Sequence, residues 1–191
     1  MLSLVIHGGA WDIPNERIEA HRRGCANALN LGWGLLSSGS NAVETVEKVI
    51  QSLEDDGTFD AGSGSHLNEI GEIELDASIM HGGTFRCGAV GSVRRVKNPV
   101  VLARKIMDES EHILLVGEGA EKFASDRGMR LCTKEELVSE RERLYWQNTR
   151  KLKFSSKDAF RTRSAASDTV GAVAMDASGD ICVGTSTGGT F

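Results

Sequence analysis

The amino-acid sequence predicts a single mixed α/β domain, and three patterns carry that prediction. A β-hairpin lies near the end of the chain: Thr169 opens a run of strand-forming and small residues, residues 176–180 form a turn cluster, and Ile181 restarts a strand. An apolar strand, residues 2–6, lies at the start. Between them, apolar residues recur at helical spacing. With 191 residues, 40% of them hydrophobic, the chain is long enough for one domain with a substantial core.

The register of the hairpin decides which side chains meet. If the five turn residues form the loop, Met175 faces Ile181 and Thr169 faces Thr187. Directly opposed residues have Cβ atoms roughly 4.5–5.5 Å apart, so the two threonine hydroxyls would meet at the mouth of the sheet. They would lie beside Gly188-Gly189, where backbone N–H groups can approach a ligand. A four-residue loop would break this pairing.

The first half of the chain predicts two helices and a glycine-rich loop. Residues 16–38 form the first helix, which Gly39 ends. A second helix begins at Asn41, with Asn41 and Glu44 spaced as in a capping box. Residues 53–65 follow as a loop with an acidic start. Such a loop either turns several carbonyl oxygens around a hard cation or is an ordinary solvated connection.

The middle of the chain predicts further strands and helices. Acidic and apolar residues alternate over 69–80, which favours a strand with a solvated acidic face over a catalytic pair of carboxylates. Residues 84–93 and 113–116 are predicted strands, the second one buried. Asn98 and Pro99 begin a helix as its cap and first residue. Thr133 and Glu136 form a capping box for a helix that reaches about Trp146.

Residues 149–168 differ in character from the rest of the chain. Basic residues alternate with serines, and no apolar periodicity remains, which predicts a mobile linker before Thr169. A nucleic-acid-binding tail is the competing interpretation. It is weak, because the segment is internal and the whole chain carries a net charge of −5.

Composition limits the remaining function classes. No apolar run approaches the ~20 residues of a membrane span, so neither a membrane nor a nucleic acid is an expected partner. The four cysteines form no C-x-x-C pair and are expected as buried free thiols in a reducing cytoplasm. The five histidines are scattered without H-E-x-x-H spacing, which disfavours a transition-metal site.

Several separated motifs resemble one family. These are His7-Gly8-Gly9-Ala10, the stretch E-x-D-A-S-I-M-x-G at 74–82, and T-V-G-A-V-A-M-D from Thr169 followed by T-S-T-G-G from residue 185. In this order they resemble the plant-type L-asparaginase / isoaspartyl (β-aspartyl) aminopeptidase family of N-terminal nucleophile (Ntn) hydrolases. The resemblance implies an αββα four-layer sandwich. Residues 1–168 would correspond to the α subunit and 169–191 to the start of the β subunit.

The resemblance also implies a mechanism. Thr169 would cut the chain at Asp168-Thr169 and then act as an N-terminal nucleophile on L-asparagine and β-aspartyl dipeptides. Its freed α-amine, with an ordinary pKa of roughly 7.7–8.0, can serve as the base. Thr187 would orient or polarise Thr169. The same resemblance lines the site with residues Gly8, Gly9, Asp60, Gly188 and Gly189.

Two further features follow from the resemblance. No cofactor is expected for the chemistry, but a structural alkali cation, usually sodium, would be held mostly by backbone carbonyls of Leu53, Glu54, Asp56, Phe59, Ala61 and Ser63. Two positions depart from the family pattern: Asp60 stands where many relatives carry asparagine, and Asp168 where glycine is common. These departures bear on substrate preference and on the speed of self-cleavage.

The sequence stops at Phe191, whereas relatives continue with most of a second subunit. That portion carries the groups that clamp the substrate and form the oxyanion hole. We therefore expect little hydrolase activity from this chain alone, and a homo-oligomer of αβ units for the complete protein. Two other interpretations remain: a glycosylasparaginase-type amidase, and an inactive ligand-binding or assembly domain.

Overall fold

The structure is a computed structural model that describes residues 1–10, 13–151 and 169–189. Its strands and helices alternate irregularly along the chain. The strands are β1 (Ser3–His7), β2 (Leu75–His81), β3 (Cys87–Val93), β4 (Leu114–Val116), β5 (Thr169–Met175) and β6 (Ile181–Gly188). The helices are α1 (Asn15–Ser37), α2 (Ala42–Asp56), α3 (Pro99–Glu109), α4 (Gly117–Asp126), α5 (Lys134–Leu137) and α6 (Glu140–Lys151), with a 3₁₀ turn at Gly62–Gly64. The predicted mixed α/β class is confirmed.

The strands form one six-stranded sheet in the order β1-β5-β6-β2-β3-β4. All neighbours are antiparallel except β3 and β4. β1, from the start of the chain, therefore forms one edge of the sheet. β5 and β6, from near the end of the sequence, lie next to it in the interior of the sheet. The β5–β6 hairpin lies between β1 and β2, so elements from distant parts of the sequence surround it.

Three helices cover one face of this sheet. Gly184 of β6 packs against Val46 of α2, Gly88 of β3 packs against the α3 backbone, and Gly32 of α1 contacts Leu4 of β1. The paired positions of these strand residues put all three contacts on the same face. The buried residues of the core, such as Ile50 and Ile79, lie in this layer.

The opposite face of the sheet is open in the described part of the chain. Val5, Val173 and Val183 form one row across β1, β5 and β6, and they are 68%, 41% and 43% exposed. Leu114 and Val116 of β4 are also exposed. The predictions that residues 2–6 and 113–116 are buried strands are therefore wrong. Both are edge strands that bury one face at most, a state that a short apolar run cannot reveal.

Two helix boundaries also differ from the sequence prediction. α2 continues to Asp56, because Leu53 and Glu54 are fully buried in its last turn, so the glycine-rich loop begins at Gly57. The helix predicted to follow Thr133 is two helices. Ser139 interrupts it and accepts a hydrogen bond from the Glu142 backbone N–H, as a helix-capping serine does.

The last helix overlaps the predicted linker. α6 reaches Lys151, so residues 149–151 are helical, and the rest of the predicted linker, 152–168, lies outside the described residues. All four cysteines are free thiols, as predicted, but only Cys132 and Cys182 are buried. Cys25 and Cys87 are partly exposed, so the prediction that all four are buried is wrong for these two. None of the helices in the described segments combines the length and the apolar character that a membrane span requires.

Candidate active site

The hairpin has the predicted register. Met175 pairs with Ile181 and Thr169 pairs with Thr187. The Thr169 hydroxyl donates a hydrogen bond to the Thr187 hydroxyl over 3.0 Å, and the Thr187 hydroxyl donates to the Gly188 carbonyl oxygen over 3.1 Å. Both threonines lie on the open face of the sheet and are half-buried. The two hydroxyl groups and the Gly188 carbonyl oxygen therefore form a short chain of hydrogen bonds that begins at Thr169.

Gly188 fixes the end of β6 against the loop that follows α2. Its N–H donates to the Asp60 carbonyl oxygen over 2.9 Å. A Cβ atom at Gly188 would overlap Asp60 Oδ1 and the Ser65 Cβ, so only glycine fits. At Gly189 the nearest such contact is 4.0 Å away, which leaves this position open.

Asp60 is buried beside this glycine, with 4% of its surface exposed. Its Oδ1 accepts a hydrogen bond from the His66 backbone N–H over 2.9 Å. The side chain thus closes the loop 60–66 on itself while the main chain of the same residue holds Gly188. Asp60 thus contacts Gly188, the residue after Thr187, and its role in the site stays a prediction.

The Gly8-Gly9 turn lies at the same end of the sheet. β1 runs antiparallel to β5, and its last residue, His7, pairs with Gly171 two positions after Thr169. A Cβ atom at Gly8 would lie 2.5 Å from the Phe59 ring and 2.6 Å from the Cys25 sulfur. Gly9 has a φ of 125°, which favours glycine. The turn is thereby held beside the start of β5.

The loop after α2 gathers several of the predicted cation ligands. The Ser63 hydroxyl donates to the Glu54 carbonyl oxygen over 3.0 Å. A Cβ atom at Gly62 would lie 2.5 Å from the Glu54 carbonyl oxygen. A Cβ atom at Gly64 would overlap the Phe59 carbonyl oxygen. The two glycines let this turn fold tightly over the carbonyl oxygen of Glu54, in the last turn of α2, and over that of Phe59, in the loop. A helix leaves the carbonyl oxygens of its last turn without intrahelical partners.

The other three predicted ligands lie in the same turn region. Leu53 and Asp56 belong to the last turn of α2, and the Ala61 carbonyl oxygen accepts a hydrogen bond from the Gly64 N–H over 3.2 Å. In the described residues, no group of three or more His, Cys, Asp or Glu side chains could hold a metal ion. The alkali cation and its set of main-chain oxygen ligands stay a prediction.

The Glu54 side chain has a role that the sequence did not reveal. It is fully buried, and burial raises the pKa of its carboxyl group to about 8. Oε1 accepts a hydrogen bond from the Val100 N–H over 3.0 Å, and Oε2 accepts one from Asn98 over 3.1 Å. Asn98 is the cap residue of α3 and Pro99 its first residue, as predicted, but the Asn98 side chain makes no capping hydrogen bond, and Glu54 supplies the acceptor for the Val100 N–H instead.

Three more polar residues lie near the site, and no motif in the sequence assigns them to it. Asp76 pairs with Thr187 across β2 and β6, although the alternating pattern marked it only as solvated. His66 and Glu142 form a buried pair, with Nδ1 and Oε2 2.5 Å apart. No periodicity singles out His66, and Glu142 stands in a run of charged residues. Asp168, the residue before the predicted cleavage point, lies outside the described residues.

A family model described as asparaginase matches residues 1–191. The chain belongs to this asparaginase family. Curated relatives agree: it is 44% identical over 189 residues to a Mus musculus isoaspartyl peptidase/L-asparaginase, covering 98% of this chain and 57% of the relative. It is 42% identical to the Bos taurus protein of the same name and 40% identical to the Homo sapiens one, each over 187 residues, covering 97% of this chain and 60% of the relative. The chain thus spans about three-fifths of the length of these relatives.

Proposed function

We propose that this chain carries the nucleophile of an Ntn amidohydrolase that acts on L-asparagine and β-aspartyl dipeptides. The observation that supports this most is the 3.0 Å hydrogen bond between the hydroxyls of Thr169 and Thr187. It lies at the mouth of the sheet, beside Gly188 and the Gly8-Gly9 turn. The names of the relatives, isoaspartyl peptidase/L-asparaginase, supply the substrate class.

The proposed first step is self-cleavage. The Thr169 Oγ attacks the carbonyl carbon of residue 168, the peptide C–N bond breaks, and an ester forms. The departing nitrogen takes the hydroxyl proton and becomes the free α-amine of Thr169. Water then hydrolyses the ester, which releases a carboxylate at residue 168 and restores the Thr169 hydroxyl. A threonine hydroxyl is a weak nucleophile, and the hydrogen bond to Thr187 orients it for this attack.

The proposed second step uses the new N-terminus. The Thr169 α-amine accepts the hydroxyl proton while Oγ attacks the amide carbonyl of the substrate, and ammonia or an amino acid leaves. Water then releases aspartate from the acyl-enzyme. The α-amine suits this task because its ordinary pKa lies roughly at 7.7–8.0, near working pH.

A second sheet on the open face would complete the proposed four-layer αββα fold. The exposed apolar row of Val5, Val173 and Val183 supports this, because a sheet buries its apolar face against another layer. Under this proposal residues 1–168 form the α part and Thr169 begins the β part. The active form would be a cytoplasmic homo-oligomer of αβ units.

The decisive test is intact-mass analysis after incubation. We expect two fragments divided between residues 168 and 169 in the wild type, a slower division in Thr169→Ser, and none in Thr169→Ala. A wild type that stays whole while its circular dichroism shows an intact fold would contradict self-cleavage and favour an inactive assembly domain. From this chain alone we expect little ammonia release from L-asparagine and little hydrolysis of a β-aspartyl dipeptide, and robust turnover of either substrate would contradict that expectation and identify the substrate class.

The proposed alkali cation has a separate test. Sodium bound only by the native loop would raise the thermal midpoint with concentration. Melts in sodium chloride and in tetramethylammonium chloride at equal ionic strength separate binding from screening. Ser63→Ala, which removes the hydroxyl bonded to Glu54, should reduce the sodium effect. Equal midpoints in the two salts would contradict a cation site.

A further inference from the structure

Behind the candidate active site lies a buried cluster of charged side chains that the proposed reaction does not use. His66 is 5% exposed and Glu142 is 2% exposed, and Nδ1 of His66 lies 2.5 Å from Oε2 of Glu142. The other carboxylate oxygen, Oε1, accepts a hydrogen bond from Arg141 Nε over 2.7 Å. Arg141 also donates to the Gly64 carbonyl oxygen over 3.2 Å. Helix α6 is thereby fastened to the loop 60–66 at two points.

The same loop holds the end of β6. The His66 N–H donates to Asp60 Oδ1 over 2.9 Å, and the Asp60 carbonyl oxygen accepts from the Gly188 N–H over 2.9 Å. The Gly188 carbonyl oxygen in turn accepts the Thr187 hydroxyl. A continuous set of hydrogen bonds therefore runs from α6 through His66 and Asp60 to the threonine pair.

The charges of this cluster favour an ionic pair. Burial lowers the pKa of His66, but the hydrogen bond with Glu142 and the negative charges of Asp60 and Glu142 outweigh burial and the charge of Arg141, so the pKa is raised. Burial raises the pKa of Glu142, and His66 and Arg141 outweigh it, so that pKa is lowered. The Tyr145 ring lies against the imidazole, with 5.4 Å between ring centroids.

A buried ion pair contributes little net stability compared with apolar residues of the same volume, while the loss of one partner leaves an unpaired buried charge. The pair does, however, fix geometry, because its hydrogen bonds allow one arrangement of helix and loop. The consequence of the pair for the site therefore concerns the positions of Asp60 and Gly188.

We propose that His66 and Glu142 are positioning residues that lock α6 to the loop 60–66 and thereby hold Gly188 and the Thr187 hydroxyl in place for Thr169. The catalytic part of this inference rests on the proposed function. The mechanical coupling between α6 and the end of β6 does not, and it can be measured without any activity.

The test is amide hydrogen exchange, resolved by residue, on the full chain with Thr169→Ala as background to prevent cleavage. We expect His66→Ala to speed exchange at Gly188 by at least about tenfold, because Glu142 loses the partner that joins it to the loop 60–66 through its Oε2 atom. The amides at the other end of the hairpin, Met175 and Ile181, should stay within about twofold. Glu140→Gln is the matched control, since Glu140 is an exposed residue of the same helix.

A conservative variant separates positioning from general destabilisation. In His66→Asn the side-chain amide nitrogen can take the place of the imidazole Nδ1 as a donor. The exchange rate at Gly188 should therefore return to within about threefold of the rate in Thr169→Ala alone. Glu142→Gln, which keeps shape and loses charge, carries the test if His66→Ala does not fold. Equal acceleration at both ends of the hairpin, or no acceleration at Gly188, would overturn the coupling. Failure of His66→Asn to rescue would overturn it as well.

Scission rates of variants that keep the native Thr169 then test the catalytic part of the inference. We expect His66→Ala to slow division between residues 168 and 169 by at least about tenfold and His66→Asn to restore it. Faster exchange at Gly188 with an unchanged scission rate would overturn the positioning role. A wild type that never divides would instead count against the proposed function, and Gly188 exchange would still decide the coupling.

Discussion

The two ends of the β5–β6 hairpin are built in opposite ways. At the turn end, the buried Asp176 carboxylate accepts hydrogen bonds from Ser178, Asp180 and the N–H of Ala42 at the start of α2. At the other end, the Thr169 hydroxyl donates to the Thr187 hydroxyl, which donates to the Gly188 carbonyl oxygen, and glycines follow in the chain. The turn end thus satisfies the Asp176 carboxylate with fixed donors and links the sheet to α2.

Under the proposed function, this difference gives the two ends of the hairpin separate tasks. A carboxylate surrounded by backbone donors is committed to structure, since any change leaves several donors unpaired. A hydroxyl held by another hydroxyl keeps its reactivity and is oriented at the same time. We therefore expect substitutions at the turn end to change stability and substitutions at the threonine end to change chemistry.

The largest effect should come from Thr187. Thr187→Ala removes the acceptor of the Thr169 hydroxyl proton, so we expect the scission rate to fall by about 100-fold or more. Thr187→Ser keeps the hydroxyl and should stay within about tenfold. The measurement is the fraction divided against time by intact mass.

Thr185→Val is the matched control for this prediction. It also removes a hydroxyl from β6, but one that donates to the Val170 carbonyl oxygen rather than to Thr169. Its scission rate should change by less than about threefold. A loss as large as that of Thr187→Ala would show that any hydroxyl of this strand matters, and it would remove the special role of Thr187.

At the turn end the expected change is in stability. Asp176→Ala leaves the N–H groups of Ala42 and Asp180 without their acceptor, so the free energy of unfolding should fall by about 3 kcal/mol. The scission rate at permissive temperature should stay unchanged. Urea denaturation measures the first quantity and intact mass the second.

Asp180→Ala tests whether any acidic turn residue would give this result. The Asp180 carboxylate is half-exposed and lies 3.6 Å from the His81 ring, so its removal should cost less than about 1 kcal/mol. If Asp176→Ala slowed scission as much as it lowered stability, the two ends would not be separable.

Gly188 and Gly189 give a smaller and more local comparison. A methyl group at Gly188 would collide with Asp60 and Ser65, so Gly188→Ala should lower the free energy of unfolding by about 1–3 kcal/mol and displace the end of β6. Gly189→Ala meets nothing closer than 4.0 Å and should cost less than about 0.5 kcal/mol. Thermal melts of both variants measure these losses of stability. Equal losses in Gly188→Ala and Gly189→Ala would contradict the packing argument.

The sequence predicted local features better than long-range ones. The hairpin register followed from the turn residues, and the Thr133 capping box and the Asn41 cap followed from spacing. Exposure was misjudged at β1 and β4, because burial depends on what covers each face of the sheet. Short apolar runs look alike in a central strand and at an edge.

The candidate site shows the same limit. The threonine pair was predictable because its members are 18 residues apart in one hairpin. His66 and Glu142 are 76 residues apart and Glu54 reaches Val100 over 46, so neither contact leaves a periodic trace. A buried charge is recognisable only once the fold has brought its partner to it.

The smallest expected effects concern pH, and they differ in sign between Asp176 and His66. Burial raises the pKa of Asp176, but hydrogen bonds from Ala42, Ser178 and Asp180 lower it further than burial raises it, so the pKa is below the ordinary 3.8. Its stabilising contribution is complete above that value and is lost as pH falls through the folded pKa. The pKa of His66 is raised above 6.5, so its contribution is complete below 6.5 and is lost as pH rises through the folded pKa.

Differences between variants isolate these two contributions from that of Glu54, whose raised pKa also makes stability fall with rising pH. We expect the stability difference between wild type and Asp176→Asn to shrink in acid, because protonated Asp176 no longer attracts its donors. The difference between wild type and His66→Asn should shrink in alkali. Urea denaturation from about pH 3 to about pH 9 measures both. Differences that stay constant with pH would mean that neither charge stabilises its end of the hairpin, and the contrast would then rest on hydrogen-bond geometry alone.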